Sequence, residues 1–144
     1  MNAPPPPHNR SDPAGPAPDL VILNRDLFFG VRLGNTLRDA GYRVAFAPHT
    51  AAFLTHLRAP APPRLGIVDL GAGPDWAAVA DFTADLGAAT PILVFGPHKD
   101  IAGFRAAKAA GVARVVSNGE FHRDVLGLVA RYVLPANTGP CPST

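Results

Sequence analysis

The chain is poor in the residues that build redox and metal chemistry. Its 144 residues include one cysteine, Cys141, which excludes an internal disulfide and a cysteine-rich metal site. Cys141 reads as a spectator thiol. The histidines, His8, His49, His56, His98 and His122, are dispersed, with no HExxH pattern and no paired carboxylate at metal spacing. No metal site is expected from them. No apolar stretch approaches the roughly 20 residues that span a bilayer. No basic-then-apolar secretion signal opens the chain, so a cytoplasmic protein without membrane contact is expected. Lys and Arg total 13 against 11 Asp and Glu, a net charge of +2, and this does not ask for nucleic acid. The turn Asn24-Arg25-Asp26-Leu27-Phe28-Phe29-Gly30 carries no glycine-rich phosphate fingerprint, and no GxxxxGK[ST] occurs. Dinucleotide and P-loop sites are therefore not expected.

What is present is apolar residues, at 47%, and proline, at 17 residues. The former fits a globular chain with one core. The latter gathers at the ends. Residues 1–18 carry Pro4-Pro5-Pro6-Pro7 and Pro13, Pro16 and Pro18, and proline has no amide hydrogen for a ladder or helix interior. A disordered, Pro-rich tail is expected there, and a second tail over 135–144. Residues 19–134 form the expected domain.

Within that domain strand and helix signals alternate five times. Asp19-Leu20-Val21-Ile22-Leu23 is a continuous apolar run, as in a strand covered on both faces. Asp26 reads as an N-cap, opening a helix with Phe29, Leu33, Leu37 and Ala40 at helical spacing and Gly41 as its stop. Residues 42–47 make a short, alternating strand at an edge. Thr50 is expected to cap a second helix with Phe53, Leu54 and Leu57. Leu65-Gly66-Ile67-Val68-Asp69 is the central strand. Asp75 opens a third helix with Trp76, Val79, Phe82 and Leu86 on one stripe. Pro91-Ile92-Leu93-Val94-Phe95 is the fourth strand. A fourth helix follows Gly96-Pro97 through Ile101, Phe104 and Ala107 to Gly111. Arg114-Val115-Val116-Ser117 is the fifth strand. A last helix begins near Gly119 or Glu120 and carries Phe121, Val125, Leu128, Val129 and Tyr132. The expected fold is α/β: a flavodoxin-like (βα)5 three-layer sandwich around a parallel five-stranded sheet of order 2-1-3-4-5.

In such a sheet ligands meet the carboxyl ends of the central strands. Asp69 ends the middle one. With Asp69, Gly41, Thr90-Pro91-Ile92-Leu93-Val94-Phe95 and Ala106-Ala107-Lys108-Ala109-Ala110-Gly111-Val112 in this order and spacing, the chain over about 19–133 resembles the receiver domain of bacterial response regulators, the CheY-like family. The resemblance implies Asp69 as the phosphoacceptor position. It also implies two acids after strand one to hold Mg²⁺, a hydroxyl at the end of strand four and a lysine at the end of strand five. The matching positions here are Asn24 and Arg25, Gly96, and Ser117 with Asn118. These departures imply a degenerate pseudo-receiver with an inactive Asp69 and no resident cofactor. Asp26 is set down as a cap rather than a metal ligand, since Mg²⁺ wants near-octahedral oxygen ligands.

A further expectation is that the Arg25 guanidinium reaches Asp69 in place of the metal, because unit charges about 4 Å apart attract by roughly 4 kcal/mol before desolvation is subtracted. The loop Gly96-Pro97-His98-Lys99-Asp100 is weighed as an anion site, and reads as a plain turn. Arg105, Lys108, Arg114, Arg123 and Arg131 read as a solvated basic face. Leu126, Ala130 and Val133 form a second apolar stripe on the last helix. With Arg105 and Lys108 they are the expected interface, on the face from helix four through strand five to the last helix, for a signalling protein or a second copy of the chain. The functional expectation is a stand-alone module that regulates by protein binding, without phosphorylation and without enzymatic activity. The alternatives are a single-domain response regulator taking phosphate on Asp69 with Mg²⁺, and a small-ligand or nucleic-acid binder.

Overall fold

The computed structural model describes residues 17–85 and 88–136. The tails outside 17–136, with Cys141 and His8, and Leu86 of the expected third-helix stripe lie outside the described residues.

Five parallel strands form one sheet in the order β2-β1-β3-β4-β5. They are β1 (Leu20–Leu23), β2 (Val44–Ala47), β3 (Leu65–Asp69), β4 (Ile92–Gly96) and β5 (Arg114–Ser117). The helices are α1 (Leu27–Asp39), α2 (Thr50–Leu57), α3 (Trp76–Ala84), α4 (Ile101–Ala109), α5 (Asn118–Arg123) and α6 (Val125–Tyr132), with a short 3-10 turn, Leu70–Ala72, directly after β3. The architecture is the flavodoxin-like one expected from the sequence.

Alternating side chains of each strand divide between two cores. Val21, Leu23, Val68, Ile92 and Val94 join Phe53, Leu57, Val79, Phe82 and Ala107 on the α2–α3–α4 side. Leu20, Ile22, Leu65, Ile67, Leu93 and Phe95 join Leu33, Leu37, Phe121, Leu128 and Val129 on the α1–α5–α6 side. The central strands read as unbroken apolar runs because both of their faces are covered.

Several local expectations need correction. The cap of α2 is His49, whose Nδ1 accepts the Ala52 amide at 3.2 Å. Thr50 is instead the first helical residue, and its hydroxyl accepts the Asp75 amide at 2.9 Å, tying α2 to the start of α3. The last helix is two helices. Ser117 caps α5, and Asp124, at φ −146° and ψ 52°, ends it and caps α6 by accepting from the Gly127 amide. An aspartate competes for nearby amides and so favours a cap over a helix interior. Ala40 is the exposed C-cap of α1, not a core residue. Ile101 is 59% exposed rather than part of the α4 core stripe.

Candidate functional site

The carboxyl ends of β1, β3, β4 and β5 meet at an open cleft of ≈ 420 Å³ lined by Asp26, Phe28, Phe29, Arg32, Asp69, Phe95, Asn118 and His122. Its floor is aromatic: Phe95 stacks on Phe121 with centroids 4.0 Å apart, and Phe29 meets Phe95 at 5.5 Å. His122 lies edge-on to Phe29 at 5.1 Å.

Asp69, at the mouth, has a structural task. Its Oδ1 accepts the Gly71 amide at 2.8 Å, which makes it the N-cap of the 3-10 turn. Burial pushes its carboxyl above the ordinary range; the Gly71 hydrogen bond opposes this, repulsion from Asp26 adds to it, and His122 opposes it again. The turn that Asp69 caps folds Leu70 over the end of β4. A Cβ on Gly96 would lie 2.7 Å from Leu70 Cβ and 2.9 Å from its Cγ, and nearer still to Cδ1. Leu70 is 8% exposed, so it has little room to retreat. Any side chain at position 96 would therefore have to displace Leu70.

The other predicted positions are brought only partly together. Asp26 lines the cleft, yet its Oδ1 accepts the Phe29 amide at 3.1 Å as the α1 cap. Asn24 is buried and turned into the chain, its Oδ1 accepting the Asp26 amide at 2.6 Å. Arg25 is exposed and lines a different hollow, between α1 and β2. It makes no ion pair with Asp69; the ion pairs among the described residues are Arg43–Asp19, Arg58–Asp85, Arg64–Asp19 and Arg114–Glu120. The expected Arg25–Asp69 substitution for a metal is therefore not formed. Ser117 caps α5 by accepting the Glu120 amide at 3.1 Å, while Asn118 faces the cleft.

The sequence reading overlooked two residues here. His122 stands one helical turn after Asn118, a spacing that puts both on one face. Leu70 was legible only as a bulky apolar residue directly behind an acid.

Mg²⁺ fits this site poorly. No group of three or more His, Cys, Asp or Glu side chains among the described residues could hold a metal ion. Two carboxylates face the cleft, Asp26 and Asp69, and each gives one oxygen, Oδ1, to a backbone amide. An ion demanding near-octahedral oxygen coordination is not served by that pair.

The remaining expected positions are scattered. The carboxylate of Asp100 caps α4, accepting from the Gly103 amide at 2.9 Å, so the Gly96–Asp100 loop puts an acid where an anion would sit. Arg105 and Lys108 are exposed on α4. Leu126, 44% exposed, lines a groove beside Phe29, Arg32 and Leu33 of α1. Ala130 is exposed, and Val133 packs against the α1–α5–α6 core. The largest apolar exposure was not foreseen: Leu27 at 81%, Phe28 at 87% and Val31 at 59% crowd the first turns of α1.

No protein-family model and no curated protein matches the chain at a significant level. Solved structures do. The receiver domain of NtrX from Brucella abortus matches with a TM-score of 0.63 at 20% identity, over 78% of this chain and 95% of that one. A response regulator (signal receiver domain) from Bermanella marisrubri gives 0.67 at 14% identity, over 78% and 95%. The phosphorylated cyanobacterial phytochrome response regulator RcpA gives 0.64 at 16%, over 87% and 99%. The fold is that of CheY-like receiver domains.

Proposed function

We propose that the protein is a pseudo-receiver: a phosphorylation-independent, protein-binding module of a cytoplasmic signalling complex, performing no chemistry of its own. The observation that carries this reading is Leu70 packed where a side chain on residue 96 would go. Support also comes from Asp69 and Asp26 being held as caps and from the absence of a lysine at Ser117 or Asn118. The receiver fold is the frame of its structural neighbours, which are response regulators. No described helix is long and apolar enough to cross a membrane.

The partner face is the start of α1. Leu27, Phe28 and Val31 together expose more apolar surface than Leu126 does on α6, and a contiguous exposed apolar patch marks an interaction site. The test is to recover complexes from the native host with the tagged wild-type chain and then with variants. Phe28→Asp is expected to lose the partner tenfold or more, while Asp69→Asn retains it. Loss with Asp69→Asn, or with Leu126→Glu in place of Phe28→Asp, would overturn respectively the phosphate-independent reading and the α1 face.

A further inference from the structure

β2 is an outer strand of the sheet and pairs with β1 alone. On its inner side the Arg43 and Ala47 carbonyls accept the Leu20 and Asn24 amides. Backbone groups of successive strand residues point to opposite edges, so those of Val44 and Phe46 point away from the sheet. Among the described residues only the Val44 carbonyl meets a partner there, Arg38 Nη2 at 3.4 Å. Exposed edges are commonly blunted by a charge, a proline or a bulge. The run Val44-Ala45-Phe46-Ala47 carries none of these, whereas β5 at the opposite edge opens with Arg114.

Helix α1 stands at the same edge. Gly30 and Gly34 lie against Phe46, so closely that a methyl on Gly34 would come within 3.1 Å of its ring. Leu27, Val31 and Arg38 are thereby set beside β2, around a shallow hollow of ≈ 280 Å³ that Gly30 and Phe46 also line. Leu27 and Val31 are largely exposed. Arg25, before α1, and Asp39, its last residue, are exposed too, and neither has an ion pair among the described residues. One edge thus joins unpaired backbone groups, exposed apolar side chains and free charges of both signs at opposite ends of one helix.

We propose that this edge binds a second copy of the chain, β2 pairing antiparallel with β2 about a two-fold axis at Ala45. Val44 of each copy then exchanges both backbone hydrogen bonds with Phe46 of the other, and Arg38 gives up its long, exposed contact with the Val44 carbonyl. A two-fold contact must be self-complementary, and this one is. The operation lays the two α1 helices antiparallel on one face of a continuous sheet. It turns Leu27 and Val31 of each copy toward the other. It also brings Arg25 of each copy to the end of α1 that carries the other's Asp39, so opposite charges meet twice and fix the register. A docked helix or a small ligand would leave the outward Val44 and Phe46 amides unpaired. Phe28 lines the Asp69 cleft and stays outside this contact. The pairing does not rest on the pseudo-receiver reading.

Sedimentation equilibrium of the full-length chain tests this, in reductant so that Cys141 cannot link two copies. The mass is expected to rise reversibly with concentration from 15.0 kDa to twice that value. Val31→Glu changes an exposed helix position and leaves both cores alone; it should weaken pairing tenfold or more. Val44→Pro removes an outward amide and spares the ladder to β1, the one place where a strand tolerates proline; it should weaken pairing as much. Phe28→Asp and Leu126→Glu should pair as the wild type does. A chain that stays monomeric through hundreds of micromolar overturns the proposal. So does undiminished pairing of Val31→Glu or of folded Val44→Pro, and so does dissociation by Phe28→Asp or Leu126→Glu.

Discussion

A side chain at position 96 would press against Leu70, a residue with almost no exposed surface and a core behind it. Gly96→Ser, which would return a hydroxyl to the end of β4, should therefore destabilise the chain by about 1–3 kcal/mol, the usual cost of overpacking. Trimming Leu70 to alanine in the same chain should recover part of that loss. Urea midpoints of the single and double variants measure both effects, and additive losses would disprove the clash. Asp69 makes the second residue-scale prediction. Burial raises its folded-state carboxyl above the ordinary 3.8. The folded chain then holds the proton more tightly than the unfolded chain. The stability tied to that proton is complete below the ordinary value and is lost as pH rises through the raised one. An asparagine in its place would still accept from Gly71 and would carry no charge. Asp69→Asn should melt higher than wild type at neutral pH, with the difference closing as pH falls below about 3.8.

At the scale of elements, the break between α5 and α6 decides where His122, Leu126 and the groove beside α1 lie. Asp124 makes the break by leaving helical geometry and accepting the Gly127 amide. Asp124→Ala should cost about 1 kcal/mol, the ordinary value of an N-cap; a gain in the urea midpoint would mean that one continuous helix is preferred. The strands were legible in the sequence because β1, β3 and β4 are buried on both faces and so read as apolar runs bounded by turns. Asp26 and Asp75 were legible as caps because each directly precedes a periodic apolar segment. Asp124 was not, since it falls within an apolar pattern that continues from Phe121 to Tyr132 and resembles a mid-helix polar position. His49 was missed for another reason: Thr50 is the commoner cap type, and only the three-dimensional neighbour at Asp75 draws its hydroxyl away. The site was legible as a set of positions but not as contacts. Sequence spacing placed Asp69 at the cleft, but it could not show that Arg25 turns to the far side of α1 or that Leu70 fills the space above Gly96.

Across the whole molecule, the parallel sheet brings the ends of four strands to one cleft, and that cleft holds an acid, Asp69, whose Oδ1 accepts the Gly71 amide. Two apolar cores fix the sheet from either side, so the cleft cannot be refitted by a local shift without disturbing β3 and β4. The exposed apolar residues Leu27, Phe28 and Val31, on the first part of α1, lie beside both the cleft and the hollow under Gly30. Everything in this picture turns on whether the Asp69 cleft accepts a phosphoryl group. Titrating the labelled full-length chain with Mg²⁺ and beryllofluoride, while following the amides of Asp26, Gly71 and Gly96, answers that. No saturable movement of those three signals is expected; tight, stoichiometric shifts at all of them, lost in Asp69→Asn, would mean that the cleft is a working phosphoryl site after all.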